Sequence, residues 1–129
     1  VLTAVRASAD GFDCEALAIS DHRADGQAYT QPMFWLCRYR ADDIQAATAW
    51  LVDRMEMFSL LLDGPAANTA ARWLGDQRLW AGALAALRAG RRVNVGDVDS
   101  FGVRYELAVN PLARTSPADF GIFPKGAAA

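Results

Sequence analysis

Between residues 44 and 62 the chain holds one hydrophobic period and then abandons it. Ile44, Thr48, Leu51, Met55, Phe58 and Leu62 recur at alternating steps of four and three. That spacing places them on one face of an α-helix of about five turns. Asp42 stands where an N-cap belongs, with Gln45 completing a capping box, and Gly64-Pro65 marks the stop. Asp42, Gln45, Asp53, Glu56 and Asp63 form only a narrow polar stripe. The last turns, "MEMFSLLL", are apolar nearly all round. Met55, Phe58, Leu61 and Leu62 therefore need cover from more than one side, and a second copy of the chain is the expected source of it.

On both sides of this helix the period falls to two. Phe101, Val103, Tyr105, Leu107 and Val109 alternate with Arg104 and Glu106, the mark of a strand with one buried and one wet face. "RRVNVGDV" supplies a partner strand just upstream. Nearer the start, "VLTAVRAS", "FDCEALAIS" and "AYTQPMFWLCRYR" read as three more strands, separated by turn signals at Asp10-Gly11 and Asp25-Gly26. Alternation in "FDCEALAIS" is poor, so a short helix is its alternative. In the third, Met33, Trp35, Cys37 and Tyr39 share an apolar face that belongs in the core. Phe34, Leu36, Arg38 and Arg40 share the other. Pro32 cannot donate to a ladder, so this strand lies at an edge or becomes regular only after it.

A second helix opens at Asn68 or Thr69, carries Trp73, Gln77, Trp80, Leu84 and Leu87 on one face, and closes at Gly90. The short link between the helices implies an antiparallel αα-hairpin. The element order β-β-β-α-α-β-β predicts an α+β fold: an antiparallel sheet of about five strands with an αα-hairpin packed on one face. With 129 residues the chain makes one domain over 1–126, extended from about residue 110. Phe120, Ile122 and Phe123 are expected to dock that tail on the body or on a partner. The last residues, 127–129, read as a cloning scar.

Charge narrows the function classes. The net value of −2 excludes a strongly basic nucleic-acid binder, although residues 1–65 hold ten acids against five arginines and the remainder five acids against eight basic residues. All the basic residues but Lys125 are arginine, a bias of GC-rich bacterial genomes. No apolar run reaches the roughly 18 residues of a membrane span, and no basic-then-apolar leader is visible, which reads as a soluble chain. Cys14 and Cys37 are too few for a disulfide framework and too far apart for a CxxC pair, so a reducing cytoplasm is expected.

Motifs for chemistry are sparse. His22, between Asp21 and Arg23, can act as a general base or stand as a solvated turn residue. Asp97 and Asp99 have the spacing of a cation loop, but Phe101 and Ala108 occupy positions that such a loop gives to ligands, and a hairpin turn explains both aspartates. There is no G-x-S-x-G elbow and no glycine-rich phosphate loop before a helix. No catalytic residue, metal or cofactor is expected. The leading expectation is a non-enzymatic interaction or regulatory module, homodimeric through Met55, Phe58, Leu61 and Leu62. A second is a sensor-like domain binding a small apolar ligand in a cavity lined by Trp35, Trp50, Trp73, Trp80 and Tyr39; the same aromatics can equally be core. A third is weak anion or nucleic-acid binding through Arg38, Arg40, Arg88, Arg91, Arg92 and Arg104, which otherwise balance the acidic first half.

Overall fold

The strongly alternating strand near the C-terminus and the poorly alternating one near the N-terminus lie side by side. We describe residues 11–20 and 33–112 of the computed structural model. They form β1 (Phe12–Ser20), β2 (Met33–Ala41), α1 (Ile44–Leu61), α2 (Gly64–Gly75), α3 (Gln77–Arg88), β3 (Val93–Val98) and β4 (Val103–Pro111). All strand pairs are antiparallel, in the order β2-β1-β4-β3. The fold is α+β, as the two separated periods require. Because β1 is central, Leu17 is buried on the face away from the helices while Phe12, Cys14 and Ala16 are buried beneath them. A strand covered on both faces loses its alternation, which is why "FDCEALAIS" looked ambiguous.

Two details of the expected architecture are corrected. The described residues contain four strands rather than about five, and three helices replace the αα-hairpin. The expected strand at 1–8, the turn at Asp10, the segment with His22 and Asp25, and the tail with Phe120, Ile122 and Phe123 lie outside the described residues. The extra helix break is at Asp76. Its N–H bonds the Trp73 carbonyl as α2 ends, and its carboxylate accepts the N–H groups of Arg78 and Leu79 as α3 begins. One acid thus closes one helix and caps the next. Gly64-Pro65 does similar double duty. α1 ends when Leu62 N–H bonds the Phe58 carbonyl at 3.0 Å, and the proline then sits in the first turn of α2, where its missing N–H costs nothing. The N-cap of α1 is Asp43, one residue later than expected, with its carboxylate 2.8 Å from Ala46 N.

All three helices lie on one side of the sheet. Trp50, Leu51 and Met55 of α1, Ala70 of α2, and Ala83 and Leu87 of α3 close over Cys14, Val93, Val95, Leu107 and Val109. Full burial of a leucine or methionine contributes about 1.5–3 kcal/mol each. The helical layer is pinned to the β3–β4 hairpin at two points. Asp63 accepts from the Ser100 N–H at 3.0 Å and its hydroxyl at 2.6 Å, and Thr69 donates to Asp97 at 2.8 Å. Gly64 makes the first contact possible: its φ is +63°, and a Cβ there would sit 3.0 Å from Ser100 N.

These contacts have a pH consequence. The Ser100 hydroxyl and N–H hold the Asp63 carboxyl below its ordinary pKa, and the Thr69 hydroxyl, with the Val98 N–H, does the same for Asp97. Glu106 is lowered by its hydrogen bond from Arg104. A carboxyl with a depressed folded-state pKa stabilises the fold fully above the unfolded value, near 4, and that contribution is lost as pH falls through the folded-state pKa. The urea midpoint is expected to fall as the pH drops below about 4. In the double variant Asp63→Asn, Asp97→Asn that fall should be shallower. An equal fall in both chains would place the acid sensitivity elsewhere.

Candidate interaction surface

Strand β2 forms one edge of the sheet built by the described residues, and its register decides which side chains it offers. Cys37 pairs with Ala16, but Leu17 pairs with Trp35, so Leu36 is left over as a β-bulge. The extra residue reverses the alternation halfway along. Cys37, Tyr39 and Ala41 face the helices, in register with Ala16, Cys14 and Phe12. Beyond the bulge Phe34 and Leu36 turn towards the helices, while Met33 and Trp35 turn away with Ile19 and Leu17. The expected pairing of Trp35 with Cys37 and Tyr39 on one core face is therefore corrected. A single inserted residue divides them.

On the side away from the helices, the Arg38 guanidinium lies 4.5 Å from the Trp35 ring centroid. It also stands 3.6 Å from Asp13 and 3.8 Å from Glu15. These ion pairs are long and half exposed, so they contribute about 1 kcal/mol at most. Arg104 is bonded to Glu106 on the same face at 2.6 Å.

On the helix side the strand ends in a groove. Leu36 and Ala16 form one wall, Met57, Phe58 and Leu61 of α1 the other, and Tyr105 the floor, enclosing about 220 Å³. Phe58 meets Tyr105 edge to face, with centroids 5.8 Å apart. Met57, Leu60 and Leu61 share one helical face and are exposed, as are Phe34, Leu36 and Tyr39. Arg54 also lines the groove, with its guanidinium donating to Asp53 at 2.7 Å.

The four residues expected at an interface separate here. Met55 is fully buried in the core, Phe58 and Leu62 are partly covered, and Leu61 is exposed at 73%. Phe34, Leu36, Met57 and Leu60 belong to the surface but were not singled out for it. Their signals were present: four bulky apolar residues following Pro32, and a helix end apolar all round.

The tryptophans are dispersed. Trp35 lies on the face away from the helices; Trp50 is in the core, where its indole N–H finds no acceptor among the described residues. Trp73 and Trp80 stack edge to face at 5.5 Å between α2 and α3. Tyr39 is on β2. No cavity among the described residues gathers them. A cleft of about 410 Å³ is lined instead by Phe12, Asp42, Asp43, Ile44, Gln45, Leu87 and Arg88, and its Asp43 carboxylate is committed to the α1 cap.

The arginines are divided as well. Arg38 and Arg40 lie on β2, Arg104 on β4, and Arg88, Arg91 and Arg92 at the end of α3 and beyond it, next to the opposite edge strand. Asp13, Glu15 and Glu106 lie between or beside them on the open face.

Of the two aspartates expected in a hairpin turn, only Asp99 is in it; Asp97 lies on β3, paired with Tyr105 and hydrogen-bonded by Thr69. Asp99 accepts the N–H groups of Phe101 and Val103, each at 2.9 Å. Among the described residues no three His, Cys, Asp or Glu side chains converge as a metal site. Burial, with the charge of Asp13 adding to it, pushes the Cys14 thiol up to about 11, so it stays protonated at neutral pH and serves as packing. No helix among the described residues is long and apolar enough to cross a membrane. Comparison with known proteins gives no family: no family model, curated protein or solved structure matches the chain.

Proposed function

We propose that this protein is a non-enzymatic interaction module of a bacterial cytoplasm, working by presenting the β2 edge and the C-terminal half of α1 to another protein chain. One observation carries the reading. Of the nine large hydrophobic side chains exposed among the described residues, eight lie on β2 or the last turns of α1, and only Phe101 lies elsewhere. Singly scattered exposed leucines need no explanation, whereas six gathered at one sheet edge on the helix side, with Met33 and Trp35 on the opposite face of the same edge, mark a contact surface. The paired arginines and the protonated Cys14 thiol are structural groups in this reading.

A small apolar ligand in the groove of Leu36, Met57 and Leu61 is the second reading. At about 220 Å³ the groove falls below the roughly 300–1,000 Å³ of ordinary ligand pockets. Native mass spectrometry beside the denatured mass separates the two. A complex of whole chains with no small adduct is the expected result. A small mass retained natively and lost on denaturation would transfer the groove to the ligand reading.

A further inference from the structure

We infer that the partner held by this surface is a second copy of the protein, related by a two-fold axis beside α1, with Leu60 of each copy seated in the other's groove between α1 and β2. The inference rests on the reading of β2 and the end of α1 as an interaction face. The contact is made by side chains and needs no backbone pairing between the copies.

The surface carries a projection and a hollow side by side. Leu60 is 81% exposed, more than any other large hydrophobic side chain on the described helices. One residue further on, Leu61 borders the groove, where Met57 and Phe58 stand with it against Leu36 and Ala16. The groove encloses about 220 Å³. An apolar cavity of about 150 Å³ takes a guest the size of benzene, so a leucine side chain fits. A surface with a knob beside its own hole is complementary to itself, because a two-fold axis between them fills both holes at once. A different protein would have to reproduce both features at the same spacing. Charge does not oppose the meeting. Arg54 lines the groove, and Asp53 and Glu56 are exposed on the same stretch of α1. The rim therefore holds both signs, whereas a rim of one sign would repel its own copy.

The area is of the right size. Phe34, in register with Ala18, continues the β2 wall of the groove on the helix side. Phe34, Leu36, Met57, Leu60 and Leu61 are 38–81% exposed. At about 200 Å² for each large side chain, they present roughly 600 Å² of apolar surface. A standard stable interface takes about 800 Å² from each partner, a little over half of it apolar. A monomer's largest apolar patch is about 300–600 Å². These five side chains thus meet the apolar requirement of a dimer from one face. Their burial also supplies the extra cover that the end of α1 needs, since within one chain Met55 is fully covered but Phe58 and Leu62 only in part.

The test is a pair of opposite charges, one on the knob and one at the groove. Leu60→Glu and Leu61→Arg both change exposed side chains, and circular dichroism should show each fold unaltered. Sedimentation of the wild-type chain should give a dimer, and either variant alone should associate at least about thirty-fold more weakly. Mixed one to one, the two variants should form a dimer again. In that hybrid one contact is the native one, and the other sets the introduced carboxylate against the introduced guanidinium. A wild-type dimer that survives both substitutions is built on another surface. One that is lost in both variants and not recovered on mixing does not seat Leu60 in the groove. Either result overturns the inference, as does a wild-type chain that stays monomeric up to its solubility limit. If that monomer binds bis-ANS, and Leu61→Arg removes the signal, the interaction face stands with a different partner. If it binds no probe there, both readings fall.

Discussion

Met55→Ala is expected to lower the free energy of unfolding by about 2–5 kcal/mol, and Leu61→Ala by no more than about 0.5 kcal/mol in the monomer. The two residues lie six positions apart on one helix, in one apolar run, yet their surroundings are opposite. Met55 is fully buried and packs in the cluster that holds Leu51, Val95 and Leu107. Truncation there removes three heavy atoms from a site where sheet and α2 are both fixed, so the cavity cannot collapse cheaply. Leu61 is 73% exposed and has little burial to lose. In thermal melts the first change should lower Tm by roughly 10 °C or more, and the second should leave a monomeric chain almost unmoved. Comparable losses at both sites would mean that the buried face of α1 has been assigned wrongly.

Phe34→Glu is expected to weaken self-association by at least about thirty-fold, the minimum for an interface anchor. Phe34 is 60% exposed, so the folded monomer tolerates the change. In an assembled state that covers this apolar surface the new carboxylate would be desolvated and without a partner. Sedimentation across a dilution series reads the effect directly. Circular dichroism at the lowest concentration should match wild type, which separates lost assembly from lost folding. Arg40→Glu is the control. On the sheet face away from the helices, beside Asp13 in register, it should alter affinity only a few-fold, with a salt dependence. If Arg40→Glu disrupts assembly and Phe34→Glu does not, the contact is electrostatic and the apolar face is not its basis.

Much of the fold was legible because period and punctuation are local properties. The steps of three and four from Ile44 to Leu62, and the alternation from Val103 to Val109, fixed helix and strand and with them the α+β class. Phe101, expected on the buried face of that strand, is corrected: it lies in the turn before it and is 86% exposed. The alternation of β4 also placed Arg104 and Glu106 together on the face away from the helices, but that face is wet only at Arg104, since Glu106 is mostly covered and Ala108 is buried. Where local signals misled, each failure has a physical cause. Gly64-Pro65 stops α1 and starts α2, since a proline in the first turn suits a helix as well as it ends the preceding one. Asp76 interrupts a continuous helical pattern because one carboxylate satisfies two N–H groups at a new N-terminus. Periodicity does not register that exchange.

The candidate surface was legible in one half only. A helix end apolar on every side announces a need for extra cover, and that need is a matter of sequence. Which side chains remain uncovered is not, since Met55 and Leu61 look alike until the sheet arrives against one of them. Strand β2 shows the limit most sharply. The residues Met33 to Arg40 specify a strand, but the bulge at Leu36 exists only because β1 fixes the register on both sides of it. Trp35 is thereby turned from the expected core to the open face, and Phe34 and Leu36 to the groove. By itself the sequence determined the elements, their class and the excess of apolar surface near residues 55–62, since backbone preference and hydrophobic period act over a few residues. The tertiary structure alone decided which of those side chains the sheet buries, because burial depends on partners many residues away, and the register that sets them is a property of the assembled sheet.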